Sequence, residues 1–475
     1  MSPLEPSREE ILRWGNEAVA WMADYLGTIR DRPVYPRTSS AEIRARLDST
    51  LPEEGAPFEE LLATFRDDII PLSRQNGHPR MFGYVQAPGM AIAALADLLA
   101  STLNANLTAW RSAPAPVEVE RLTIDWIKQI LGYPAEAAGL FVSGGSMANF
   151  CALAAARQTK VPNESKKLRL YLSQETHHSI VKAATLLGLG RDNVREIETD
   201  ENFRIRLDHL VAEIENDLRS GYQPFFVAGN AGTVATGAID PLPELAAIAR
   251  RFNLWFHIDA CYGGFAALSP SIRPKFAAFP EADSIALDPH KWLYLPADCG
   301  CVLYRDPTNA RATFAHHAEY TRILQQTDDE AFAFWDYGPE LSRRFRALKV
   351  WMLLKGVGLR AIRNSIEKDI SCARHLEALV RQSSDFEMLA PVELSIFCFR
   401  YCPSGMQNKE EQLNAFNERL LVELQRDGSS YLSNAHLRGR FALRGCVLNF
   451  RTTPRDMEIL LDDLRHNATQ LLQST

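Results

Sequence analysis

The chain has 475 residues, a formal net charge of −7, 46% hydrophobic and 23% charged residues, enough for two or three domains around a large core. A mildly acidic chain with no basic stripe argues against nucleic acid as its main partner. No run reaches roughly 18 uninterrupted apolar residues, so no membrane span is expected, and the acidic, polar start lacks the layout of a secretory signal.

Residues 1 to 80 read as a helical segment. Ser7 with Glu10 three residues later forms a capping-box pattern, and Ile11, Trp14, Ala18, Trp21, Met22 and Tyr25 follow at helical spacing. Pro33 and Pro36 end that helix. Its two tryptophans need cover, from their own domain or from a partner subunit.

From 81 to 350 the pattern changes. Short apolar runs at 139–142, 168–172, 224–228, 254–258, 284–287 and 300–304 alternate with amphipathic stretches. Such alternation predicts a mainly parallel sheet with flanking helices, an α/β domain. Residues 351–475 read as helix, strand at 394–399, helix at 408–426, strand at 441–450 and helix at 454–471, a small α+β domain. The eight cysteines are scattered without a CxxC pair, which reads as buried free thiols in a cytoplasmic protein.

Four clusters fall at ends of the predicted central strands, where open α/β sheets bind ligands. In chain order, the first is Ser143-Gly144-Gly145-Ser146, a strand running into small residues and a helix, suited to an anion. His177, in Glu175-Thr176-His177-His178-Ser179, offers a flat imidazole that can stack on a planar ligand. Asp259 closes an apolar strand before Ala260-Cys261-Tyr262-Gly263-Gly264; a carboxylate that deep needs a cationic partner. Lys291, in Asp288-Pro289-His290-Lys291-Trp292, can form an imine with an aldehyde. Taken singly, each has an ordinary reading: a plain turn, a loop histidine, a helix-capping aspartate, a solvated lysine.

Together and in this order they resemble the group II pyridoxal phosphate (PLP)-dependent amino acid decarboxylases of fold type I, the family of the aromatic L-amino acid, histidine and glutamate decarboxylases. The resemblance runs from about His78 to about Arg451. It includes Asn230-Ala231-Gly232-Thr233 and the run from Ser342-Arg343-Arg344-Phe345 to Trp351. It implies a seven-stranded, mainly parallel sheet, PLP held by Lys291 as a Schiff base, Asp259 paired with the pyridinium nitrogen, and His177 stacked on the ring. Gly145, Ser146 and His290 would lie around the phosphate, with Thr233 in a cofactor-side loop. It further implies a homodimer with active sites at the interface and the N-terminal helices wrapped across the partner. Trp110 would line the substrate pocket near that seam; Phe82 and Tyr84 lie near it in sequence, and all three could equally be core. The implied reaction is decarboxylation of an L-amino acid, aromatic by preference, to amine and carbon dioxide.

Three departures stand out. Asp288 replaces an Asn usual near the phosphate, and is expected to point away or to bind through water. Val234 and Ala87 replace threonines of the animal enzymes. Counting back from Arg343, the mobile loop's catalytic tyrosine falls on Phe334, which has no proton to give. In plant relatives a Phe there accompanies an aldehyde synthase, in which oxygen intercepts the reaction. Tyr320, Tyr337 and His177 are candidates to replace the missing acid.

Overall fold

Apolar runs bounded by small or polar residues become strands, and the amphipathic stretches between them become helices that cover both faces of the sheet. The computed structural model describes residues 4–47, 50–161, 167–316 and 330–473. Its strands are β1 (Ala138–Val142), β2 (Leu168–Ser173), β3 (Val194–Ile197), β4 (Gln223–Asn230), β5 (Trp255–Asp259), β6 (Ser284–Leu287), β7 (Gly300–Tyr304), β8 (Phe386–Met388), β9 (Ile396–Tyr401), β10 (Ser433–Leu437) and β11 (Arg440–Cys446). Its helices of ten residues or more are α1 (Arg8–Gly27), α2 (Ala91–Leu103), α3 (Pro114–Leu131), α4 (Gly145–Lys160), α5 (Leu207–Arg219), α6 (Leu242–Arg251), α7 (Ala347–Gly356), α8 (Leu359–Gln382), α9 (Glu410–Asp427) and α10 (Pro454–Gln473).

The larger sheet has the order β1-β7-β6-β5-β4-β2-β3. β7 runs antiparallel to both its neighbours; the remaining pairs are parallel. Every residue of β2, β5, β6 and β7 is buried. Helix α4 crosses this sheet on Ala148, Ala152 and Ala155, all fully buried, whose small side chains allow close approach. The register sets Asn230 beside Asp259, and Asp259 beside Ala286. The carboxyl ends of β4, β5 and β6 therefore finish level, and the segments leaving them share one edge. This is the mainly parallel seven-stranded sheet that the sequence predicts.

A four-stranded antiparallel sheet, order β10-β11-β9-β8, forms the second layer system. Its core joins Phe397, Phe399 and Leu443 to Phe416 and Leu420 of α9 and Leu460 of α10. Phe82 belongs to this core, which corrects the expectation that it lines a substrate pocket. Its amide donates to Tyr431 O at 2.9 Å and its carbonyl accepts from Cys446 N at 2.8 Å. Strand-like pairing on both sides turns the ring inward, 1% exposed and edge-on to Phe397.

At the N-terminus, Ser7 Oγ accepts from Glu10 N at 3.2 Å while Glu10 Oε2 accepts from Ser7 N at 2.8 Å. The reciprocal cap fixes the start of α1. No residue of α1 is buried within the chain.

Candidate active site

Segments leaving β1, β2, β4, β5 and β6 converge on a cleft of about 780 Å³ at the carboxyl edge of the larger sheet. Ser143–Ser146, His177, Asp259, Asp288, His290 and Lys291 all line it, so the four clusters read from sequence meet in one place. After β6, Pro289–Trp292 makes a single helical turn that aims Lys291 into the cleft with its side chain 20% exposed. Lys291 Nζ lies 2.9 Å from Asp288 Oδ2. Burial works against the ammonium charge, but the Asp288 carboxylate outweighs it and holds Lys291 above the usual lysine range.

Asp259 is 7% exposed. Its Oδ2 accepts from Asn149 Nδ2 at 2.9 Å and its Oδ1 from Cys261 N at 3.1 Å. Burial pushes its pKa up, yet nearby His257 and these hydrogen bonds hold it below the ordinary aspartate value. The group is thus an anion at neutral pH, ready for a cation in the cleft.

A directed chain of hydrogen bonds joins Asp259 to His177. Trp255 Nε1 donates to Ser284 Oγ at 2.8 Å, which faces His257 Nδ1 at 2.8 Å. His257 Nε2 faces Asn149 Oδ1 at 2.9 Å. Asn149 Nδ2 then donates to Ser179 Oγ at 2.9 Å, and that hydroxyl meets His177 Nδ1 at 2.8 Å. Trp255 and the Asn149 amide nitrogen can only donate, which fixes every other direction. His257 is the Nε2–H tautomer. His177 accepts at Nδ1, also from Ser179 N at 3.3 Å, and carries its proton on Nε2. Burial pulls His177 below the ordinary histidine pKa, with Asp259 pulling the other way, so the ring stays neutral at neutral pH.

The sequence profile described as "Pyridoxal-dependent decarboxylase conserved domain" matches residues 41–402. The chain belongs to this family. It is 37% identical over 454 residues to the aromatic-L-amino-acid decarboxylase of Bacillus atrophaeus, covering 96% of this chain and 94% of that protein. A phenylacetaldehyde synthase of Petunia hybrida is 30% identical, covering 100% and 96%. The structure of Oryza sativa TDC with PLP and tryptamine superposes with a TM-score of 0.93 at 27% identity, covering 99% of each chain.

The cofactor of this pyridoxal-dependent decarboxylase is PLP, and the cleft fits it. Gly145, Ser146 and Met147 of the first turn of α4 line the cleft, and a Cβ on Gly145 would come within 2.4 Å of Cys261 Sγ and 2.8 Å of Asp288 Oδ2. Only glycine fits so close to those two side chains, and a helix N-terminus at the cleft wall favours an anion. His290 Nδ1 accepts from Cys299 N at 3.1 Å, which leaves Nε2 as the ring's donor. Asp288 Oδ1 is buried with no hydrogen-bond partner. Its carboxylate faces this anion cradle, in keeping with the second of the two expectations, contact through water, and not with the first, that it points away.

Other expected residues lie elsewhere. Thr233 is buried, its hydroxyl meeting Thr236 Oγ1 at 3.0 Å and accepting from Ala238 N; it braces the loop whose Gly232 and Val234 reach the cleft. Tyr84 lines the cleft mouth, 51% exposed. Trp110 is half-buried against the core, its amide donating to Phe332 O at 3.0 Å, and is not part of the cleft wall. Phe334 is 1% exposed, beneath the Arg343 guanidinium at 4.3 Å and edge-on to Phe332. Arg343 is itself locked by an ion pair with Glu120 and by the carbonyls of Leu107 and Phe141. Phe334 is therefore a core residue and not part of its own cleft wall. Of the substitute acids, His177 lines the cleft, Tyr337 packs on Phe332, and Tyr320 lies outside the described residues.

Two groups escaped the sequence reading. Asn149 sits inside a helix of small residues, where an amide reads as ordinary; a histidine in the middle of the apolar run 254–258 was the available signal for its partner. Arg444, 4% exposed, lines the cleft with its donors on the carbonyls of Val234, Ala235 and Tyr84 and on Ser433 Oγ. None of these carries a negative charge, so Arg444 brings an unpaired cation to the cleft wall.

Proposed function

We propose that this enzyme decarboxylates an aromatic L-amino acid, releasing the amine and carbon dioxide, with Lys291 as the cofactor-holding lysine. The observation that carries the reading is the meeting of Lys291, Asp259 and His177 in one cleft, at the ends of three different strands. Bound PLP supplies the electron sink for the pair released as the carbon–carboxylate bond breaks. Asp259, held ionised, keeps a ring nitrogen protonated, and the cradle of Gly145, Ser146 and His290 holds the phosphate. His177, neutral with its proton on Nε2, offers the substrate a hydrogen-bond donor at the cleft wall. Arg444, a cation at the cleft wall without an anionic partner, is placed to attract the substrate carboxylate. The aromatic preference rests on the activities of the relatives and on Tyr84 at the mouth.

The test incubates the PLP-loaded enzyme with L-tryptophan, L-tyrosine, L-phenylalanine and L-dopa under air, following carbon dioxide, amine, aldehyde and peroxide. Amine equal to carbon dioxide is expected. Aldehyde and peroxide in equal amounts would establish the synthase chemistry of the Petunia relative instead; the burial of Phe334 away from the cleft gives that outcome no support from this residue.

The working unit in this reading is a cytoplasmic homodimer. Ile11, Leu12 and Val19 expose an apolar face of α1, which a second subunit would cover, and Leu98, Leu99 and Leu103 expose another on α2. The eight unpaired, buried cysteines support a reducing compartment. Among the described residues no helix is long and apolar enough to cross a membrane.

A further inference from the structure

Asp288 is the residue that the family resemblance leaves without a role. It is 3% exposed. One oxygen holds the Lys291 ammonium at 2.9 Å. The other, Oδ1, has no hydrogen-bond partner, and His290 Nε2 stands 3.8 Å from it, beyond hydrogen-bond reach. A Cβ on Gly144 would lie 3.8 Å from Oδ1, and one on Gly145 would lie 2.8 Å from Oδ2. The carboxylate therefore sits against the backbone that cradles the cofactor phosphate. Two anions held that close and away from water repel strongly, and one proton between them removes the repulsion.

A proton is available at that spot. An amine attacks an aldehyde only when neutral, and Lys291 is held as an ammonium. We infer that Asp288 takes the proton from Lys291 on Oδ2 as the cofactor is attached, and afterwards shares it with the phosphate seated against Gly144 and Gly145. The step balances. The ammonium gives one hydrogen to Asp288 and two to the aldehyde oxygen, which departs as water; the carbon–oxygen double bond becomes a carbon–nitrogen double bond. No oxidant or further reactant is needed. The charged and titratable groups facing Asp288 are Lys291 and His290 on its own turn, Cys261 after β5, His177 after β2, and Cys299 and Cys301 before and on β7. Among these, Lys291 alone is a cation at neutral pH within hydrogen-bond distance of the carboxylate.

This inference rests on Lys291 being the attachment site, and the experiment separates the two ideas. Cofactor-free enzyme is mixed with PLP, quenched with borohydride at intervals, and the reduced adduct is located by peptide mass. Wild type should attach at a rate nearly constant between roughly pH 6.5 and 8.5. Asp288→Asn should lose the flat profile, with a rate rising roughly tenfold per pH unit as the amine deprotonates to solvent unaided. Asp288→Glu, which keeps an acceptor, should restore the flat profile. An Asp288→Asn enzyme whose attachment rate is as flat with pH as that of wild type would make Asp288 a lock on the ammonium and overturn the inference. An adduct on a different lysine would overturn the attachment site itself, and the inference with it.

Discussion

Asn149 has no reactive atom, yet its amide touches Asp259, Ser179 and His257 at once. It transmits tautomer information from a strand interior to the cleft, making it a positioning residue. Asn149→Ala orphans the buried Nε2–H of His257 and strips Asp259 of one donor. We expect a stability loss of about 1–3 kcal/mol and a pH–rate profile whose limbs move, because His177 is free to change tautomer. An unchanged profile in a less stable protein would reduce Asn149 to a packing role. Phe334 makes the converse case. A hydroxyl placed on its ring enters a dry site under Arg343, so Phe334→Tyr should lower unfolding free energy by about 1–3 kcal/mol and leave the amine-to-aldehyde ratio untouched. A shifted product ratio would return this position to the chemistry. The four cleft clusters were legible because each joins a strand end to an unusual residue type. For Phe82, Trp110 and Phe334 the choice between core and cleft was not legible, because proximity in sequence, or a count from a motif, says nothing about which way a ring turns.

At the scale of elements, the turn that carries Lys291 is tied to the small sheet's covering helix. Asp369 on α8 accepts from Trp292 Nε1 at 3.1 Å and from Tyr294 OH at 2.7 Å, and Trp292 stacks on Tyr262, 5.2 Å away and 11° from parallel. Burial pushes Asp369 up to about 7, against those two hydrogen bonds. Its folded pKa is thus raised above the unfolded aspartate value of about 3.9. The stability it contributes is complete at low pH and is lost as pH rises through that window. Asp369→Asn cannot titrate, so its stability relative to wild type should improve by about 1.4 kcal/mol per pH unit between about pH 4 and 7. Denaturant midpoints that keep a constant offset across that range would contradict this coupling. The central strands of this fold could be read because they are apolar throughout. Strands β3, β8 and β10 could not: Val194-Arg195-Glu196-Ile197 and Ser433-Asn434-Ala435-His436-Leu437 are polar edge strands, and β8 is three residues long. Nor does an apolar run state its direction, so the antiparallel β7 is visible only in the fold.

Taken as a whole, the molecule places its chemistry at one sheet edge and leaves apolar helix faces uncovered at another. Leu12 and Val19, 47% and 43% exposed, lie seven residues apart on α1, two turns along one face. A double change to Leu12→Glu and Val19→Glu removes no buried contact within the chain. Sedimentation should nevertheless show the proposed homodimer replaced by monomer, while a dimer that persists would place the interface elsewhere. The proposed chemistry depends at every step on Lys291, in the turn that follows β6. The most direct measurement is decarboxylation by Lys291→Ala protein supplied with PLP and an aromatic L-amino acid, set beside its absorbance spectrum. We predict a colourless, folded protein that releases no carbon dioxide above background; a yellow protein that still releases it at the wild-type rate would contradict the account.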